Sequence, residues 1–203
     1  MRVETQREPF RPDKDVRVQM VRDDLEDIPI FALPAGYLIR WYQPGDEGHW
    51  TRIHHESAGY GDLKPTLFTD QFGTDGNVMG RRIAFVCRED GYPISTNAAW
   101  MNGWRGQHWG RVHWVATCAS EQGKGLSKPL MTAVCERLRN LGHDRAYLST
   151  STARVRAISL YTAFGFKPFP ESEEEERAWE MLLGSMDEAG CVSKRKEGVP
   201  RSR

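Results

Sequence analysis

The chain lacks any excess of charge: 28 lysines and arginines stand against 28 aspartates and glutamates in 203 residues. That balance excludes a nucleic-acid or polyanion role resting on a field of one sign. It also lacks long apolar runs, so no stretch reads as a membrane span, and Met1-Arg2-Val3-Glu4 opens a polar segment without a signal-peptide pattern. Its 4 cysteines, Cys87, Cys118, Cys135 and Cys191, are scattered and have no C-x-x-C pairing. No metal site is expected of them, and reduced thiols in a cytoplasmic protein are the plain reading. Internal repeats are missing as well. So are two phosphate motifs. No lysine follows glycines in the frame of a Walker loop, and Lys128 stands where a dinucleotide fingerprint needs its third glycine.

Apolar residues make up 39% of the chain, enough for one compact domain with a real core. Val112 to Thr117 is rich in β-formers and reads as a strand. Downstream, Leu126, Leu130, Val134 and Leu138 recur every fourth residue, with Met131 and Cys135 beside them, as on the buried face of a helix. Between them lies Gln122-Gly123-Lys124-Gly125-Leu126-Ser127. A glycine turn entering a helix presents unpartnered backbone donors and the positive end of the helix dipole, which together make an anion site. Lys124 adds a positive charge. A phosphorylated ligand is expected there.

Gln122, Gly125 and Ser127 fit Gln/Arg-x-x-Gly-x-Gly/Ala, except that serine takes the last position. Ala157-Ile158-Ser159-Leu160-Tyr161-Thr162-Ala163-Phe164-Gly165-Phe166 fits A-x-x-L-Y-x-x-x-G-F at the appropriate distance downstream. With these two motifs in order, the chain resembles the GNAT N-acetyltransferases from about Tyr37 to Leu183. The resemblance implies an α+β fold with a mixed, twisted sheet whose two central strands splay apart. It implies acetyl-CoA as co-substrate. Val115, Ala116 and Thr117 would bond the pantetheine arm, and Gln122, Gly123, Lys124, Gly125, Leu126 and Ser127 would cradle the pyrophosphate. Ser151 would face the splay. Arg154 stands where the family often has asparagine, as a candidate phosphate partner.

Along the chain, residues 1–35 read as an N-terminal extension, with Val16, Val18 and Met20 alternating as a short edge strand. Residues 36–183 form the expected domain. Gly36 to Trp41 reads as its first strand, followed by a helix that Asp46 caps and that runs toward Ser57. Gly59 to Asp62 would be an acceptor loop and Thr66 to Phe72 a second helix, with His55 a weaker candidate for touching substrate. Arg82 to Arg88 and Ile94 to Met101 read as a hairpin about Asp90-Gly91. Trp100, Asn102, Trp104 and Trp109 crowd the next connection, and packing over a sheet edge is the plain expectation for those tryptophans. Glu173 to Glu176 reads as a solvated loop, and Trp179, Met181 and Leu183 as a last strand. Residues 184–203 read as a polar, basic, disordered tail.

Acetyl transfer to an amine asks for a proton acceptor and for an acid at the departing thiolate. Tyr161 matches the family's general acid by position. Where one branch of the family keeps a glutamate base, this chain has Arg111, and strand alternation puts His113 on the same face. Glu56 or water are the alternatives as base. A covalent route through Cys118 is disfavoured, because alternation turns it away from His113. The expected function is therefore an acetyl-CoA-dependent N-acetyltransferase. Its acceptor is a small-molecule or peptide amine; nucleic acid and membrane are not expected partners, and a homodimer stays open. The competing readings are a non-catalytic acyl-CoA-binding or sensor module of the same fold, and a phosphate-binding regulatory domain unrelated to CoA.

Overall fold

A computed structural model of the chain describes residues 15–57 and 62–188; Gly59 to Gly61 of the expected acceptor loop, Cys191 and positions 189–203 lie outside them. The strands are β1 (Arg17–Arg22), β2 (Tyr37–Trp41), β3 (Ile83–Arg88), β4 (Pro93–Trp104), β5 (Gln107–Thr117), β6 (Ala146–Ser151) and β7 (Lys167–Pro168). The helices are α1 (Glu47–Glu56), α2 (Leu67–Phe72), α3 (Gly76–Arg82), α4 (Ser127–Asn140), α5 (Val155–Ala163) and α6 (Glu173–Glu188). The expected α+β class with a mixed sheet is what forms. The seven strands lie in the order β2-β3-β4-β5-β6-β1-β7, and only β5 and β6 run parallel.

Both faces of the sheet are covered, which is why β3 is a continuous apolar run, buried from Ile83 to Cys87. On one face α1 lays Trp50, Ile53 and His54 against the strands. On the other, α4 buries Leu130, Met131, Val134, Cys135 and Leu138, the stripe its sequence spacing predicts. Gly110 of β5 lets α4 approach, because a Cβ there would meet Leu138 at 3.0 Å. Both α4 and α5 end in the same hydrogen-bond pattern. His143 N donates to Leu138 O at 3.1 Å, and Phe166 N to Tyr161 O at 3.1 Å, around Gly142 and Gly165 at positive φ.

Besides α3, a short helix the sequence did not signal, three elements depart from expectation. β1 is no edge strand: it is inserted between β6 and β7, paired antiparallel with both, and Val18 and Met20 are fully buried. The expected last strand at 179–183 is instead part of α6. Ser172 caps that helix, its Oγ accepting from Glu175 N at 3.2 Å, while Glu175 Oε2 accepts from Glu171 N at 3.0 Å. Glu173 to Glu176 are thus its first turn, where the dipole favours acids. The helix buries Ala178, Trp179 and Leu182 and continues through Glu188, into the stretch expected to be disordered. The third departure is the β4–β5 hairpin, which is longer than expected. Trp104 pairs with Gln107 across Arg105 and Gly106, both at positive φ, as a tight two-residue hairpin turn requires.

Candidate functional site

β5 and β6 pair only at Gly110–Ala146 and Arg111–Tyr147, and beyond that rung they part. The sheet therefore opens into a wedge with Arg111 and Tyr147 at its apex. Val115, Ala116 and Thr117 line the β5 side and Ser151 ends the β6 side.

A bulge lies just past the apex on β5. Ala98 pairs with His113 but Thr96 pairs with Ala116, so Asn97 opposes two residues, Trp114 and Val115. Trp114 takes φ +54°, a left-handed conformation that a bulky residue keeps only where its surroundings hold it. They do so here. The Trp114 ring lies 5.2 Å from those of Trp50 and His54, and its Nε1 donates to Gln71 Oε1 at 3.0 Å. His113 Nε2 reaches the same oxygen at 3.1 Å. An indole can only donate, so this amide oxygen is the acceptor for both rings; His113 is therefore protonated on Nε2 and carries its lone pair on Nδ1. Burial, and then the nearby Arg111, push the His113 pKa down to about 2. Burial pulls His54 down to about 4, with its Nδ1 donating to Trp50 O at 2.8 Å.

The extra residue also reverses the alternation beyond it. Ala116 joins the face of His113, and Cys118 with it, which corrects the expectation that Cys118 turns away. The Cys118 thiol is buried, 3.5 Å from Arg52 Nη1, and burial together with a hydrogen bond to Glu56 pushes its pKa up to about 11. Glu56 is engaged on the same spot, 2.9 Å from Arg52 Nη1. Arg52, Glu56, His55, Glu47 and Phe68 line an open cleft of about 600 Å³ between α1 and α2.

At the wide end of the wedge, a 3-10 turn (Ala119–Glu121) leads into residues 122–126 and then α4. Gly123 and Gly125 sit at φ +80° and +79°, where any side chain is strained. No side chain caps α4. Gln122 ties the loop to the strand end, its Nε2 donating to Thr117 O at 3.1 Å. These features fit a pyrophosphate: glycines that bring the backbone close, beside an uncapped helix N-terminus.

Lys124 is placed differently from what its charge alone implied. Its Nζ is 2.8 Å from Glu121 Oε2, and Arg88 Nη2 is 2.6 Å from Glu121 Oε1. The Tyr37 hydroxyl donates to Oε2 at 3.1 Å. The hydrogen bonds from Lys124 and then Arg88 hold the Glu121 pKa down at about 2. Glu121 was missed in the sequence, where only Lys124, three residues on, is a legible partner. Tyr161 is buried on α5, its ring 6.4 Å from that of Phe166. Arg154 is the residue before α5 and is half-buried, as is Ser151.

A mixed sheet parted between two parallel strands, with a glycine turn feeding a helix at the open end, is the acyl-CoA N-acyltransferase fold. The model of the acetyltransferase (GNAT) family matches residues 35–166, and the chain belongs to that family. Solved structures agree in fold. A GCN5-related N-acetyltransferase from Sphaerobacter thermophilus aligns at TM-score 0.62 and 20% identity, over 78% of this chain and 50% of its own. Glucosamine-6-phosphate N-acetyltransferase from Arabidopsis thaliana aligns at 0.52 and 15%, over 67% and 95%. The ribosomal-protein-S18-alanine N-acetyltransferase from Escherichia coli aligns at 0.54 and 16%, over 66% and 79%. The chain spans about half the length of the Sphaerobacter chain and of a Drosophila protein whose solved structure it also matches. No curated protein matches it in sequence. Among the described residues, no helix is long and apolar enough to cross a membrane, and no cluster of three metal-ligating side chains occurs.

Proposed function

We propose that the chain is an acetyl-CoA-dependent N-acetyltransferase working by direct transfer to an amine in a ternary complex. The observation that carries this reading is the bulge at Trp114, held by Gln71, Trp50 and His54 beside the apex of the wedge. It sets a strained backbone against one wall of a slot whose far end is a phosphate cradle. Bound acetyl-CoA supplies an activated acetyl thioester. Val115 to Thr117 are its backbone rail, Gln122 to Ser127 its phosphate seat, and Ser151 and Arg154 line the opposite side.

Tyr161 is assigned as the acid that protonates the departing thiolate. His113 takes a different part from the one its sequence position implied. A ring whose pKa is about 2 has little appetite for an amine's proton, so His113 orients the bulge through Gln71, and water accepts the proton. Cys118 stays a thiol at its pKa of about 11, which favours direct attack over a covalent acetyl-cysteine. The domain reading that accompanies this is a single acetyltransferase unit that extends the expected 36–183 to take in β1 on one side and the whole of α6 on the other.

Calorimetry with acetyl-CoA, followed by thiol release over a panel of amines, tests the proposal. Saturable binding together with amine-dependent release is expected. Binding without transfer to any amine returns the non-catalytic sensor reading, and no binding at all overturns both.

A further inference from the structure

The two faces of β1 and β6 differ in kind. Val16, Val18, Met20 and Leu148 are buried on one. On the other, Arg17 is exposed and Gln19, Ser149 and Ser151 are half-exposed, with Ser149 Oγ donating to Gln19 Oε1 at 2.7 Å. Register places Arg17 opposite Ser151, and Tyr147 between Arg111 on β5 and Val21 on β1. The polar strip therefore ends at the buried Val21–Tyr147 rung, and Arg111 lies on the far side of Tyr147 at the apex of the wedge.

Arg111 is unusual within it. Its guanidinium lies 5.6 Å over the Tyr147 ring, and Trp100 is its cross-strand neighbour on the other side. Its Nε is fully buried and has no hydrogen-bond partner, and no carboxylate pairs with Arg111 or Arg17 among the described residues. The nearest acid along the strip, Asp15, is used on the amide of Ala153. A part-buried guanidinium with no carboxylate opposite it is costly to maintain, and an anion is what offsets the cost. Unlike the buried Nε, its two Nη groups are not closed off and present an end-on fork suited to two oxygens of one oxyanion, and Arg17 adds a second positive charge nearby. Along the strand, Arg111 lies two residues, about 7 Å, from His113 and the start of the bulge.

We infer that Arg111, backed by Arg17, forms an oxyanion subsite on the acceptor side of the wedge, so that the preferred acceptor is a small amine bearing a carboxylate or phosphate a few atoms from its nitrogen. The inference rests on the acetyltransferase reading for its use of the amine, while the anion site itself can be measured without turnover.

The experiment uses matched acceptors on the full chain, glycine against glycinamide and phosphoethanolamine against ethanolamine, scored as kcat/KM by thiol release. The anionic member of at least one pair is expected to win by tenfold or more, the winning pair separating carboxylate from phosphate. Arg111→Gln should collapse that ratio to near one, mainly through KM, with acetyl-CoA affinity kept. Arg111→Lys should recover only part of it, since it keeps the charge and loses the fork. In parallel, calorimetry with inorganic phosphate should show binding to the parent that Arg111→Gln and Arg17→Gln each weaken at least fivefold. Failure of the acetyltransferase reading appears as no transfer to any amine while phosphate binding still depends on Arg111. The inference itself is overturned by equal use of charged and neutral acceptors, by a ratio that Arg111→Gln leaves unchanged, or by phosphate binding indifferent to both arginines.

Discussion

Acidification from pH 7 to 4.5 strips stability from this protein through two histidines. His54 and His113 are buried and neutral in the native state, with pKa values near 4 and 2, whereas an unfolded histidine titrates at about 6.5. Below pH 6.5 the unfolded chain takes up protons that the native chain refuses, so stability falls as pH falls. At pH 4.5 each group costs about 2–3 kcal/mol, and the pair about 5 kcal/mol, comparable with the whole stability of a small domain. Glu121 acts in the same direction below its unfolded pKa of about 4.5, since its native carboxylate resists protonation down to about 2. Urea unfolding at half-unit pH steps, followed by the fluorescence of the buried Trp50 and half-buried Trp114, measures the effect. His113→Phe keeps a ring against Phe72 and cannot titrate, so it should remove about half of the slope between pH 6 and 4.5. A stability that is flat across that range, or parallel slopes in parent and variant, refutes the assignment of buried neutral rings.

Tyr161→Phe should leave acetyl-CoA binding by calorimetry near parental while lowering kcat about 10²-fold or more, the lower range for a general acid; an unchanged kcat returns Tyr161 to core packing. Gly125→Asp puts a strained, negative side chain into the phosphate seat, and acetyl-CoA affinity should fall at least tenfold, about 1.4 kcal/mol, in a protein whose melt shows it folded. Met20→Ala should cost about 2–5 kcal/mol in chemical denaturation, because Met20 is fully buried in an inner strand; a cost under 1 kcal/mol would mean that β1 is peripheral.

What the sequence disclosed was local. The four-residue spacing from Leu126 to Leu138 and the glycines before it foretold α4 and its loop, because both depend on neighbours in the chain. Alternation also put His113 on the face of Arg111 correctly. Alternation then failed at Cys118, because a bulge adds one residue and nothing about Trp114 announces a left-handed backbone. The pKa of His113 depends on its burial and then on the charge of Arg111, and its tautomer on Gln71, 42 residues away. α6 carries two conflicting signals: Ser172 and Glu175 form a capping pair and Ala178, Trp179 and Leu182 have helical spacing, but Trp179, Met181 and Leu183 also alternate as in a strand. β1 could be recognised as a strand, but its place could not, since its partners β6 and β7 lie far along the chain.

The placement of β1 has a consequence for the order of events during synthesis. Arg17 pairs with Ser151, 134 positions later, and Met20 with Pro168, later still. At roughly 5–20 residues per second, Arg17 is incorporated about 7 to 27 s before Ser151, the last residue of β6. Throughout that interval Val18, Met20 and Val21 have neither neighbour, and both edges of the strand are open to other chains. Closing a loop of that length then costs about 4 kcal/mol in chain entropy before any rung of the ladder forms. Among the described strands, the first one made is therefore among the last to be secured.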